Sequence, residues 1–452
     1  MIGDLLKSVS ERAIRYLENV DDRSVAPSPE AVAALAKLDT PLPQKPTDPE
    51  TVIALLDEIG SPATVVNAGG RYFGFVNGGA IPAALAASWI VSAWDQNACL
   101  SVMSPVSVAL EEIALRWIID LLGLPPQSGG AIVTGATMAN FTALAAARHS
   151  VLQKAGWDVE ADGLFLAPPI TVVVGAEAHP SLLKALGLLG LGRNRVRVVP
   201  TDDQGRMRAE EIPSLSGPAI VCIQAGNVNT GAFDPAQEIC EIAHQSGAWV
   251  HTDGAFGLWA AAAPRRAHLA AGFADADSWA TDAHKWLNVA YDCGIAIARD
   301  SESLRRSMSM SAAYLPPGSV REPMHYTPEA SRRARGVEVW AALRSLGRRG
   351  LADIIERDCQ HAARLAEGLR SAGYEILNDV VINQALVSFG DDETTEKVIA
   401  ALQSDGTCWC GPTVWHGRAA MRISVSSWKT TQEDIERSLD AMLRVASQVG
   451  RT

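Results

Sequence analysis

Between about Ser107 and Arg299, short β-branched runs alternate with helical stretches, and no other feature constrains the fold as tightly. The runs are "GGAIVTG" (129–135), "ITVVVGAEA" (170–178), "RVRVVPT" (195–201), "AIVCIQAG" (219–226), "AWVHTDGAF" (248–256) and "CGIAIARD" (293–300). Several lack in/out alternation of apolar and polar residues, the pattern of parallel strands covered on both faces. The helical stretches include "VSVALEEIALRWIIDLLG" (106–123) and "NFTALAAARHSVLQKAG" (140–156). Such alternation predicts an α/β architecture, a sheet with helices on both sides.

The flanks read differently. Helix-like patterning to about Leu38 passes through a Pro-rich connector, "TPLPQKPTDPE" (40–50), into "TVIALLDEIG". Its prolines disfavour helix and suit an arm or linker. Beyond Asp300 a basic, Pro-containing stretch (313–336) leads into a long helix (337–373), expected to break at Gly347 or Gly350. Strands "YEILND" and "QALVSFG", helix "TEKVIAALQSDG", strand "AAMRISVS" and a last helix from Thr431 follow. A chain of 452 residues suits more than one core. The expected division is a helical segment with connector over 1–60, a large α/β domain over 61–300, and a smaller α+β domain over 301–452 with a loop near 313–330. The run "IPAALAASWIVSAW" (81–94) is too short to span a bilayer and reads as a buried helix ended at Asp95.

A net charge of −12 argues against nucleic acid as a partner, because phosphate binding needs a positive footprint. The seven cysteines have no framework spacing, and the start "MIGDLLKSVSERAIRYLE" has no apolar signal core. A reduced, cytoplasmic setting is expected, without a membrane partner. Cys408 and Cys410 lack a second Cys/His pair at finger spacing, so no metal is expected.

In this architecture ligands bind beyond the carboxyl ends of the strands. After "GGAIVTG" comes "GATMAN" (135–140), where small residues and a helix N-terminus fit either a phosphate or a plain helix cap. After "ITVVVGAEA" comes His179, whose imidazole suits stacking on a planar ring or a hydrogen-bonded place in the core. After "AWVHT" comes Asp253, a carboxylate costly to bury unless paired; its partner is a cation in the cleft, or it caps a helix. In "DSWATDAHKWLN" (277–288), Lys285 lies in an apolar setting, and desolvation makes an amine nucleophilic toward carbonyls. Together these four elements suit pyridoxal phosphate, which needs a Schiff-base lysine, an acidic partner for its pyridinium nitrogen and an anion site.

The segments "HTDGAFG", "GAEAHPS", "AGNVNTGAFDP" and "DAHKW" resemble the group II pyridoxal-phosphate decarboxylases, which include glutamate decarboxylase and aromatic-L-amino-acid decarboxylase. The resemblance runs from about residue 50 to 445. It implies the fold type I architecture, a large domain with a mostly parallel seven-stranded sheet, and a homodimer with sites at the subunit interface. By resemblance Lys285 is the Schiff-base lysine, Asp253 the pyridinium partner, and Ala255 packs on the ring face opposite His179. Ala136 and Thr137 are expected to hold the phosphate, with His284 nearby and Asn227 close to the ring. Arg422 matches the arginine that holds the substrate α-carboxylate in glutamate decarboxylase. Phe73, Phe75, Val76 and Asn77 fall in the stretch that lines the side-chain pocket in relatives; Trp415 and His416 are further candidates, and 92–105 is expected to enter the neighbouring site.

The implied activity is decarboxylation of an L-amino acid to a primary amine and CO₂. The sequence departs from the family at two places. Asp282 stands where several relatives have asparagine in "NPHK". The loop "REPMHYTPEA" (321–330) puts Pro323 at or near the position of the tyrosine that returns a proton to Cα, leaving Tyr326 or His325 as substitutes. Without either, the resemblance points to an aldehyde-forming oxidative deaminase; a lyase or aldolase of the same fold is the other alternative.

Overall fold

The computed structural model describes residues 2–310 and 321–450, and the chain forms two units. One comprises 78–363 and 378–385, the other 1–77, 364–377 and 386–452. These boundaries fall elsewhere than the sequence boundaries at 60 and 300. Residues 313–320 of the expected loop lie outside the described residues.

The larger unit carries seven strands: β1 Gly129–Val133, β2 Thr171–Gly175, β3 Arg197–Val199, β4 Ala219–Gln224, β5 Trp249–Asp253, β6 Ser278–Asp282 and β7 Gly294–Ala298. Their order is β1-β7-β6-β5-β4-β2-β3. Only β7 runs against its neighbours, so the expected mostly parallel sheet is present. Every residue of β4, β5, β6 and β7 is buried, which is why their sequences do not alternate. β6, "SWATD", was not among the expected strands. It is poor in β-branched residues and owes its place to packing, with Trp279 Nε1 donating to the Phe273 carbonyl at 2.7 Å.

Two further features of this unit depart from a simple reading. The helix Pro82–Trp94 forms and stops at Asp95, which takes a left-handed φ of 49°, but it is not buried all round. Ala84, Ala87 and Val91 face the core, whereas Trp89, Ile90 and Trp94 are 45%, 49% and 42% exposed. Its apolar residues encircle the helix while the unit covers only the small-residue side. The long helix Arg335–Ser371 breaks at Gly347, at φ 59° and ψ −177°, one of the two glycines expected to break it. Before it, Arg332 forms a buried bidentate ion pair with Glu111 and donates to the Ile132 carbonyl at 3.0 Å.

A second sheet, β8 Glu375–Ile376, β9 Gln384–Ser388, β10 Gly411–Trp415 and β11 Arg418–Ser424 in the order β10-β11-β9-β8, belongs to the smaller unit except for Gln384 and Ala385. β10 was also unexpected; Gly411 and Pro412 open it, and it is read as a strand only through its hairpin with β11. His416 and Gly417 both take positive φ, 48° and 77°, as a tight two-residue hairpin turn requires. The N-terminal helix Ile2–Glu18 is tied to the 49–60 region by Arg12, which pairs with Glu50 at 3.1 Å and Asp57 at 2.9 Å. No helix among the described residues is long and apolar enough to cross a membrane.

Candidate active site

The parallel register sets several functional groups at one edge of the larger sheet. Asp253 is the last residue of β5 and pairs with Ala280; Asp282 is the last residue of β6. β1 ends at Val133, and the helix Ala136–Lys154 starts three residues on. This is the carboxyl end of the sheet, where crevice sites form.

Asp253 is buried, and its oxygens meet neutral donors. Asn140 Nδ2 donates to Oδ2 at 3.2 Å, and the Ala255 N–H to Oδ1 at 3.3 Å. The Asn140 Oδ1 accepts from His251 Nε2 at 2.8 Å; His251 Nδ1 accepts from the Ser278 hydroxyl at 2.9 Å; Ser278 Oγ accepts from Trp249 Nε1 at 2.8 Å. With Asn140 donating to a carboxylate, every other donor in this chain has one direction. Burial pushes the His251 pKa down to about 3, so the imidazole is neutral and holds that tautomer. The result is a polarised row from Trp249 to Asp253 that aims the carboxylate at the sheet edge. Asn140, His251 and Ser278 were not singled out from the sequence. The available signal was His251 itself, two residues before Asp253 and therefore on the same face of β5.

Lys285 lies in the turn that follows β6. It is not simply an amine in apolar surroundings: Nζ sits 3.0 Å from Asp282 Oδ2. Asp282 Oδ1 also accepts the Ala136 N–H at 2.6 Å, and His284 Nε2 lies 3.6 Å from Oδ2. The His284 Nδ1 accepts the Cys293 N–H at 3.2 Å, its ring lies 4.3 Å from that of Tyr291, and burial lowers its pKa. The amine, the first N–H of the Ala136 helix and the Asp282 carboxylate thus meet at one point.

The remaining expected site residues divide. Thr137 is in the first turn of the Ala136 helix and half-buried. His179, half-buried, caps the helix Pro180–Leu188, its Nδ1 accepting the Ser181 N–H at 3.2 Å. The Asn227 Oδ1 accepts the N–H groups of Asn229 at 2.9 Å and Thr230 at 3.2 Å, so its carbonyl fixes a turn. Tyr326 packs at the opposite end of β1, beside Ser128, Gly129 and Ser301, under the Arg321 guanidinium at 4.2 Å. His325 precedes it, on a segment tied to 99–101 by Ser101–Glu322 hydrogen bonds and by the Met324 N–H to the Cys99 carbonyl. Neither is brought to Lys285 in the described chain.

In the smaller unit Phe73 is buried, whereas Phe75 is exposed, takes φ 52° and stacks on Trp409 at 5.5 Å. Asn77 is half-buried, with its N–H on the Gly74 carbonyl. Trp415 is buried at the end of β10 beside His416. Arg422 lies on β11 opposite Gly411, and burial lowers its pKa.

This donor set fits pyridoxal phosphate. There is an amine for its aldehyde, a buried carboxylate held by neutral donors for its ring nitrogen, and a helix N-terminus after Gly135, where an added Cβ would stand 3.3 Å from the His284 ring. Residues 31–390 match the pyridoxal-dependent decarboxylase conserved domain, and the chain belongs to that family, whose cofactor is pyridoxal phosphate. It is 30% identical over 378 residues to histidine decarboxylase of Drosophila melanogaster, covering 76% of this chain and 43% of that protein, so it spans less than half of that relative's length. The structure of Oryza sativa TDC with PLP and tryptamine matches with a TM-score of 0.91 at 22% identity, over 99% of this chain and 98% of the other. Rhodiola rosea 4-hydroxyphenylacetaldehyde synthase matches with a TM-score of 0.86 at 20% identity, over 100% and 98%. These likenesses show the fold, fold type I.

Proposed function

We propose that this chain decarboxylates an L-amino acid, releasing CO₂ and a primary amine. The observation that carries the reading is the meeting of Lys285 and the Ala136 helix at the sheet edge where the braced Asp253 also ends. Bound there, pyridoxal phosphate supplies an electron sink for the charge left on Cα when CO₂ departs. Lys285 presents its amine to the cofactor's aldehyde carbon. Asp253, held by Asn140 and Ala255, keeps a proton at the ring nitrogen. His179 and Ala255 take the two ring faces, Ala136, Thr137 and His284 the phosphate end, and Asn227 the ring edge. His325 or Tyr326 returns the proton to Cα, which requires their segment to reach a site other than its present one.

A second reading keeps the site and changes the outcome. Tyr326 is packed under Arg321, and by the resemblance Pro323 falls at or near the position of the family's tyrosine. Without a side chain to return the proton to Cα, O₂ would serve as oxidant, and amino acid, O₂ and water would give aldehyde, CO₂, ammonia and hydrogen peroxide. The exposed apolar side chains Trp89, Ile90, Trp94, Val102 and Met103 support a homodimer, with 92–105 as the segment that enters the partner's site. Phe73, Phe75, Asn77, Trp415 and Arg422 are proposed as substrate residues on their motifs. A cytoplasmic location is part of the same reading.

A panel of common L-amino acids, assayed together for CO₂, amine, aldehyde, ammonia and peroxide, tests the function. Equal amounts of CO₂ and amine support decarboxylation, whereas aldehyde with ammonia and peroxide supports the second reading. Release of no CO₂ from any of them contradicts both.

A further inference from the structure

The N–H that a phosphate would first meet at the Ala136 helix already has an anionic partner. Asp282 Oδ1 accepts it at 2.6 Å, while Oδ2 pairs with Lys285 at 3.0 Å. Asp282 is 2% exposed. Strand register explains the reach. Gly294, the first residue of β7, pairs with Val133 on one side and Asp282 on the other. Having no side chain, it lets the Gly135 backbone, which leads into the Ala136 helix, pack against the strand end; a Cβ there would collide with Gly135. The negative charge is therefore built into the cradle by the sheet.

The groups around that carboxylate can be named. Lys285 and His284 face it from the turn after β6, and the Ala136 N–H from the helix. Cys293 and Asp292 approach from the segment before β7, Tyr291 through its contact with His284, and Trp259 Nε1 donates at 3.0 Å to the Asp282 main-chain carbonyl. His284 spends Nδ1 on the Cys293 N–H and is driven toward its neutral form by burial. Arg335 and Glu338 bear on Cys293 as well, but Arg335 pairs with Asp292 at 2.8 Å, so Lys285 is the cation in contact with Asp282, and it is also the amine of the proposed cofactor site.

We infer that Asp282 sets how tightly this chain holds its cofactor's phosphate, because the phosphate must share a proton with a carboxyl already seated in its cradle. This rests on reading Lys285 and the Ala136 helix as the cofactor site. Two acidic groups in contact do not both stay fully ionised. A phosphate monoester loses its second proton near pH ~6. The phosphate's contribution to affinity therefore falls as pH rises above about 6, since binding must then take up a proton. Asparagine at 282 keeps an acceptor for Ala136, offers a donor to the phosphate and removes the charge.

The test titrates apoprotein, stripped from the holoenzyme, with pyridoxal phosphate and with plain pyridoxal, following visible absorbance from about pH 6 to about pH 8.5. Pyridoxal lacks the phosphate but reacts with the same amine, so the ratio of the two affinities isolates the phosphate and cancels effects on Lys285. In the wild type this ratio falls as pH rises. In Asp282→Asn it is larger by about tenfold or more at the upper end and is flat with pH. A wild-type ratio that is flat or rises with pH overturns the inference, and needs no variant. So does an Asp282→Asn protein that binds pyridoxal phosphate with an unchanged or smaller ratio. A wild type that takes up neither compound overturns the site reading and this inference with it.

Discussion

Asp253 and Asp282 end adjacent parallel strands, and both are buried, yet their surroundings give them opposite tasks. Asp253 meets neutral donors, Asn140 and the Ala255 N–H, so its charge remains to be matched by a cation brought in from outside. Asp282 has Lys285 at 3.0 Å and a helix N–H at 2.6 Å, so its charge is matched from within. A buried carboxylate costs free energy unless it is paired. On the proposed reading, the carboxylate left to neutral donors is the one that would face a protonated ring, and the one paired from within stands beside the reacting amine. Residue type and strand position alone would not separate the two.

The largest effect is expected at the amine. Lys285→Ala should abolish the visible absorbance of bound cofactor and reduce activity to background, read by spectrum and turnover on one preparation. Asp253→Asn should retain cofactor while lowering kcat by about a hundred- to thousandfold, because the ring nitrogen loses its charged partner. Equal losses in the corresponding Asp282→Asn variant would erase the distinction between the two carboxylates. Glu111 supplies a third case, a carboxylate fully paired with Arg332 away from the chemistry. Glu111→Ala should cost about 3–5 kcal/mol in denaturant unfolding and leave the spectrum of the folded fraction unchanged.

The smallest effect concerns the row behind Asp253. His251→Asn should lower kcat by roughly tenfold, about the worth of one buried hydrogen bond, with little change in cofactor affinity. It also carries a pH signature. His251 titrates near 6.5 when unfolded and about 3 when folded, so the unfolded chain binds more protons between those values. Stability therefore rises with pH across that window and is lost as pH falls through it. Removing the imidazole should flatten the slope by up to about 1.4 kcal/mol per pH unit, measured by unfolding of both proteins from about pH 4 to about pH 7.

Much of this was legible in the chain. Continuous apolar runs gave away buried parallel strands, and Asp253 and Lys285 stood out as charges beside them. What stayed hidden depends on register across the sheet. β6 has few β-branched residues, and Trp279 and its neighbours become a strand only between β5 and β7. The Asn140–His251–Ser278 row joins residues from a helix and two strands, so no local pattern announces it. Asp282 was visible as a departure from "NPHK", but its bond to Ala136 joins the ends of β6 and β1, which both pair with Gly294 across the sheet. Tyr326 shows the converse: a plausible residue type in a plausible loop, packed at the far end of β1.

Which side chain holds the cofactor decides whether this sheet edge is the active site. Reducing the holoenzyme with borohydride, digesting it and mapping the modified peptide by mass spectrometry reads this directly. The pyridoxyl group is expected on Lys285, in the peptide containing "DAHKW". Its appearance on any other lysine, or no modification of a protein that turns over substrate, would contradict the assignment of this site.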